Sequence, residues 1–176
     1  MRCTPRVTET RFMTENIEHL AAALGHRLLA SGLKLATAES CTGGWIAQVV
    51  TGVAGSSAWF DRGFVTYSNL AKQEMLGVSG ATLGAHGAVS ASVVTEMATG
   101  TLARSQAQVA VAVSGIAGPG GGSAKKPVGT VFIAWALAGQ PPGVQRLQLA
   151  GDREAVRRQT VRIALERLLE LLDGGG

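Results

Sequence analysis

Thr37-Ala38-Glu39-Ser40-Cys41-Thr42-Gly43-Gly44 closes a short apolar strand, predicted over 33–38, and leads into a helix predicted from Trp45 to about Val50. Two glycines at the joint let the chain turn without the steric cost of a Cβ. Ser40 and Cys41 then stand beside helix N–H groups that have no intrahelical partner, which can bind an anion or a developing oxyanion. A strand that runs straight into a helix is the repeating unit of an α/β fold.

The same alternation continues on both sides. Upstream, Ile17, Leu20, Ala21, Leu24 and Leu28 recur at helical spacing, with Thr14 as a cap and Gly32 as a stop. Downstream, Trp59–Tyr67 is aromatic and β-branched and reads as a strand, after which Ser68 or Asn69 caps a helix ending near Leu76. Residues 77–87 read as a loop. Ser90 caps a helix to about Arg104, with Val89 and Val94 as a hydrophobic staple. Val109–Val113 is a buried strand, residues 115–122 a glycine loop, and 130–137 with 144–149 a strand pair. Asp152 caps a final amphipathic helix carrying Val161, Leu165, Leu168 and Leu172 inward. These elements predict a three-layer α/β/α sandwich with a mixed β-sheet. One domain is expected over 14–173, with a loosely ordered leader at 1–13 and a frayed tail at 174–176.

Composition narrows the function. Of 176 residues, 46% are hydrophobic and 16% charged, a globular balance that excludes disorder. Apolar runs are too short and too broken to cross a bilayer, and the N-terminus has no secretory h-region. Cys3 and Cys41 form no disulfide framework and no metal spacing, so a reducing cytoplasm is expected. The net charge of +4 is mild and aromatics are only 5%, which argues against a nucleic-acid partner. The basic residues concentrate in the last helix, where Arg153, Arg157, Arg158, Arg162 and Arg167 alternate with acids and read as a solvated face.

Three features can carry chemistry. Serine is a weak nucleophile without a base, so Ser40 needs one. Lys72 falls in the first turn of a predicted helix, where the macrodipole disfavours an ammonium and partial burial adds to the effect. A neutral amine there can take the Ser40 proton, with Tyr67 to relay or orient it. The plain alternatives are a helix-capping Ser40, a solvated Lys72 and an ordinary sheet tyrosine. Cys41 competes as nucleophile, since a thiol at a helix N-terminus has a lowered pKa. Glu39 reads as a solvated or capping group, and His19 and His26 as one surface stripe. The loop Ser114-Gly115-Ile116-Ala117-Gly118 and its glycine continuation resembles a phosphate cradle, with Lys125, Lys126 and Arg153 able to add charge, but lacks the P-loop pattern.

Several stretches in order resemble the CinA C-terminal domain family. They are Thr37–Gly44, Gly55–Phe60 leading into Gly63–Asn69, and His86–Ser90. Val113–Pro119, Lys126–Val131, and Gly151–Arg153 with Val156-Arg157 complete them. The likeness runs from about Thr14 to Leu172. It implies an α/β/α fold, no metal or other cofactor, a homodimer, and hydrolysis of the carboxamide of nicotinamide mononucleotide. It also implies Ser40 as nucleophile, Lys72 as general base and Tyr67 beside them. Cys41, Thr42 and Gly43 follow as oxyanion or substrate-binding backbone, and Ser114–Gly118 with Arg153 as substrate contacts. The leader has no counterpart in the family's compact domain. A pyrophosphatase activity belonging to a further N-terminal domain of some members is not carried over. The alternative reading is a nucleotide-binding module that breaks no bond.

Overall fold

A computed structural model describes residues 7–174, with side chains described from Ile17 onward. Positions 1–6 of the expected leader and 175–176 of the expected tail lie outside these residues. The first helix, α1 (Val7–Ser31), runs through position 14 and begins upstream of the predicted Thr14 cap. It ends where predicted. Gly32 adopts φ 65°, and Leu33 N–H donates to Leu28 O at 3.0 Å, the six-residue closure that a left-handed glycine permits.

Five strands form one sheet: β1 (Leu35–Glu39), β2 (Phe60–Val65), β3 (Val109–Gly115), β4 (Thr130–Leu137) and β5 (Gly143–Gln148), in the order β2-β1-β3-β4-β5. β1 is parallel to both β2 and β3, while β3–β4 and β4–β5 are antiparallel. The sheet is therefore mixed, as predicted. Its helices are α2 (Trp45–Thr51), α3 (Asn69–Leu76), α4 (Gly80–His86), α5 (Ala91–Ala103) and α6 (Arg153–Asp173).

Strand alternation sorts the two faces by side-chain size. Val109, Val111, Val113, Val131 and Ile133 pack with α1, α2 and α6. Ala110, Ala112, Ala134 and Ala136 face the other way, toward α5. Small residues let α5 lie close to the sheet, and α3 closes onto α5 in turn. A Cβ on Gly100 would come within 2.0 Å of Leu76 O, so that crossing requires glycine.

The predicted caps are present. Ser68, Ser90 and Asp152 accept from Ala71 N, Val93 N and Ala155 N. One element differs: residues 77–87, read as a loop, contain α4, capped by Ser79 through Ala81 N and Thr82 N. Its sequence, Gly80-Ala81-Thr82-Leu83-Gly84-Ala85-His86, has two glycines and a single buried apolar side chain, Leu83, too little to show periodicity.

Candidate active site

Ser40 directly follows β1 and is tied to the sheet by its N–H, which donates to Val113 O at 3.1 Å. Gly43 N–H closes the turn on Ser40 O at 3.1 Å, and Gly43 and Gly44 take φ of 61° and 99°. Two successive left-handed residues are what turn the chain from strand into helix here, and only glycine adopts them freely.

The helix N-terminus that this turn delivers is already occupied. Glu39, 1% exposed, accepts from Thr42 Oγ1 (2.6 Å), Gly44 N (3.2 Å) and Ile46 N (3.0 Å) on Oε2, and from Ala47 N (2.8 Å) on Oε1. Strand alternation explains it: Glu39 points to the face that carries α2, while Ser40 emerges at the rim. Glu39 is the cap and Ser40 is not. Of the N–H groups in the turn, those of Cys41 and Thr42 lie outside Glu39's grasp.

Ser40 instead meets Lys72. The side-chain Nζ lies 3.0 Å from Ser40 Oγ, 2.8 Å from Thr66 O and 3.4 Å from Tyr67 O, and Lys72 is only 1% exposed. Burial holds its pKa below the ordinary 10.5, opposed by the nearby Cys41. Desolvation, given second place in the sequence reading, comes first. Cys41 departs from expectation: burial, with Glu39 adding, pushes its thiol up to about 12 rather than down. Thiolate chemistry at neutral pH is therefore closed to it.

The remaining candidates assemble from three loops. Tyr67 is 63% exposed at the mouth, where its hydroxyl accepts from Arg153 Nη2 at 3.1 Å. Arg153, first residue of α6, also donates Nη1 to Gly118 O at 2.7 Å. Ser114 donates to Ala88 O at 2.8 Å and so joins β3 to the segment before α5. At Gly115 a Cβ would come within 2.7 Å of Val131 Cγ2 and 3.2 Å of Cys41 Sγ. A cavity of about 200 Å³ gathers Ser40, Cys41, Tyr67, Lys72, Ser114, Gly115, Ala117 and Arg153, with Ala88 and Val89.

Thr42 and Gly43 belong to a neighbouring cavity of about 540 Å³, shared with Arg153. Ile116 and Gly118 line neither. Ile116 donates its N–H to Thr130 O at the start of β4, and its carbonyl accepts from Gly129 N–H just before that strand. Lys126 donates to His86 O at 2.7 Å, and Lys125 is exposed with its carbonyl held by Arg146. The glycine loop thus forms a wall and an anchor for Arg153 rather than a basic cradle.

Sequence reading missed Arg157. It donates Nε to Cys41 O (3.0 Å) and Nη2 to Thr42 O (3.1 Å) and lies 5.3 Å from the centre of the Trp45 ring. It stood in the sequence as a cation on a helix face read as solvated and as part of the Val156-Arg157 stretch of the family likeness, with no role attached. Among the described residues, no three or more His, Cys, Asp or Glu side chains gather as a metal shell would require. No described helix is long and apolar enough to cross a membrane.

Comparison with known proteins adds to this geometry. The family model described as CinA C-terminal domain matches residues 17–172. The nicotinamide-nucleotide amidohydrolase PncC of Escherichia coli K12 is 55% identical over 157 residues, covering 89% of this chain and 95% of that protein. Its namesake from Pseudomonas putida is 55% identical over 155 residues, covering 88% and 96%. Among solved structures, the competence/damage inducible protein CihA of Agrobacterium tumefaciens superposes with a TM-score of 0.87 at 47% identity, covering 97% of this chain and 99% of that one.

Proposed function

The chain belongs to the CinA C-terminal domain family, and from that premise we propose that it is a nicotinamide-nucleotide amidohydrolase with Ser40 as nucleophile and Lys72 as general base. The reaction converts nicotinamide mononucleotide and water to nicotinate mononucleotide and ammonia. The named activity of relatives at 55% identity supports the substrate. The observation that carries the mechanism is the buried 3.0 Å contact between Lys72 Nζ and Ser40 Oγ.

The surroundings of Lys72 favour the base role. A neutral amine has two N–H donors and one lone pair. Thr66 O and Tyr67 O take the two donors, which leaves the lone pair for the Ser40 hydroxyl proton. Once protonated, the ammonium has three donors, matched by those two carbonyls and the serine oxygen. The amine is thus supported in both states without rearrangement.

Ser40 Oγ attacks the carboxamide carbon as Lys72 takes its proton, and the Cys41 and Thr42 N–H groups receive the oxyanion. Collapse expels the amide nitrogen, which gains the Lys72 proton and leaves as ammonia. Water then adds to the acyl-enzyme, giving its proton to Lys72, and Ser40 is restored as that proton returns. Tyr67 and Arg153 sit at the mouth and orient the substrate.

Ammonia release from nicotinamide mononucleotide tests this reading. Ser40→Ala and Lys72→Ala should each lower kcat by roughly 10³- to 10⁶-fold, the range for losing a nucleophile or its base. Undiminished turnover by Ser40→Ala refutes the nucleophile. Tight nucleotide binding by the wild type with no ammonia released favours the binding-module alternative.

A further inference from the structure

The cavity that holds Ser40 is small for a whole nucleotide. That cavity is about 200 Å³, whereas sites that enclose a ligand of that class run to roughly 300–1,000 Å³. A nucleotide whose carboxamide reaches Ser40 therefore extends through the mouth of this cavity. Arg153 stands there and lines both this cavity and the 540 Å³ one beside it.

Resting on the amidohydrolase reading, we infer that the second cavity is the phosphate subsite, built by Arg153, Arg157 and Arg158 over the Gly43-Gly44 turn. Three arginines line it against one carboxylate, Glu154, which pairs with Arg158 at 2.7 Å and leaves a net surplus of cation. Such a surplus of guanidinium suits a dianionic phosphate, which arginine binds in a planar, two-point fashion. Arg157 is fixed in place by the Cys41 and Thr42 carbonyls, which take Nε and Nη2, and by the Trp45 ring, and it lines this cavity. Arg158 lies on the same ring, 5.2 Å from its centre. The two side chains are thereby held before a ligand arrives, which lowers the ordering cost of binding.

The subsite also explains why the nucleophile's turn and the phosphate contacts are one piece. Arg157 both lines the subsite and grips the peptides after Ser40. The rival location, the glycine loop, has Gly118 turned to Arg153 and Lys126 turned to His86.

Calorimetry in the Ser40→Ala background, with nicotinamide mononucleotide and nicotinamide riboside as paired probes, tests the assignment without turnover. The mononucleotide should bind at least tenfold tighter than the riboside. Arg158→Met and Arg157→Met should each weaken mononucleotide binding by about tenfold to a hundredfold, the span of one charge-assisted contact. Riboside binding by Arg158→Met should change less than threefold, which also reports that this variant is folded, and Arg157→Met, which also releases the Cys41 and Thr42 carbonyls, should lose more mononucleotide than riboside affinity. Lys125→Met should alter neither. Equal losses for both probes, or a mononucleotide-selective loss in Lys125→Met alone, overturns the subsite. Failure of the amidase reading has a separate signature: the expected mononucleotide-selective losses in the arginine variants, with no ammonia released by the enzyme that carries Ser40.

Discussion

Replacing Glu39 by Gln removes one charge and one acceptor from a buried side chain that holds four hydrogen bonds. The carboxylate accepts four hydrogen bonds, three on Oε2 and one on Oε1, at 1% exposure. Glutamine can keep its oxygen where Oε2 receives Thr42, Gly44 and Ile46. Its NH₂ then faces the Ala47 N–H, donor against donor. Bonds to a charged acceptor contribute about 1.5–3 kcal/mol, neutral ones about 0.5–1.5, and a stranded buried donor costs about 1–3 kcal/mol. Because these terms share one side chain and do not simply add, the expected loss is about 2–4 kcal/mol. At 2–4 °C per kcal/mol for a chain of this size, Tm falls by roughly 4–16 °C. Urea titration followed by tryptophan fluorescence measures it, since Trp59 is buried and Trp45 begins the capped helix. The midpoint should fall at unchanged slope. Glu166→Gln, which breaks only a part-exposed pair with Arg162, is the control and should stay within about 0.5 kcal/mol. A Glu39→Gln variant as stable as that control would refute the claim that this carboxylate fixes the turn bearing Ser40.

Acid should switch the enzyme off through Lys72: as pH falls through its lowered pKa, the amine becomes ammonium and loses the lone pair, so kcat/KM rises with pH to a plateau. Lys72→Arg, charged at every accessible pH, should be inactive throughout, and a flat wild-type profile between about pH 6 and the ordinary lysine value of 10.5 would dismiss the base role. The Cys41 thiol, pushed up to about 12, should resist iodoacetamide at neutral pH, and Cys41→Ala should keep most of kcat; rapid inactivation by the reagent would contradict its burial. Thr66 Oγ1 is buried with no hydrogen-bond partner, so Thr66→Val should stabilise the fold by about 1 kcal/mol, read as a higher urea midpoint.

The fold was legible because periodicity, caps and glycines agreed at most positions. Val109–Val113, the Ser68, Ser90 and Asp152 caps and the left-handed glycines at 43 and 44 each appear where local chemistry demands. Helix α4 escaped because its signal is a single buried leucine and its stability comes from neighbours, including Glu96, which accepts from Ser79 N and Thr82 Oγ1. At the site, the pairing of Ser40 with Lys72 was anticipated, although 32 positions separate them and no spacing rule relates the two. What failed were inferences from one local rule. Cys41 was read from its helix terminus, but Glu39 already fills that terminus and burial dominates. Arg157 was read from its helix face, but the tertiary packing of α6 on the turn decides where that face points.

Topology accounts for why the chemistry collects where it does. The chain leaves β1 toward β2 and leaves β3 toward β4, in opposite directions, so a crevice opens between their carboxyl ends. Each parallel strand delivers one component there: β1 gives Ser40, β2 gives the Thr66 and Tyr67 carbonyls, and β3 gives Ser114 and Gly115. The connection from β2 to α3 is only Thr66, Tyr67 and Ser68, and Ser68 caps the helix it enters. So short a link fixes Lys72 relative to the sheet that holds Ser40, and Thr66 N–H ties it further to Glu39 O at 2.9 Å. The buried amine of Lys72, the buried carboxylate of Glu39 and the unpaired Thr66 hydroxyl lie together at this edge. Polar groups of that kind destabilise a fold wherever they are buried. Their concentration beside a single crevice, with aliphatic side chains and alanines lining most of the remaining described core, sets that crevice apart from the rest of the interior.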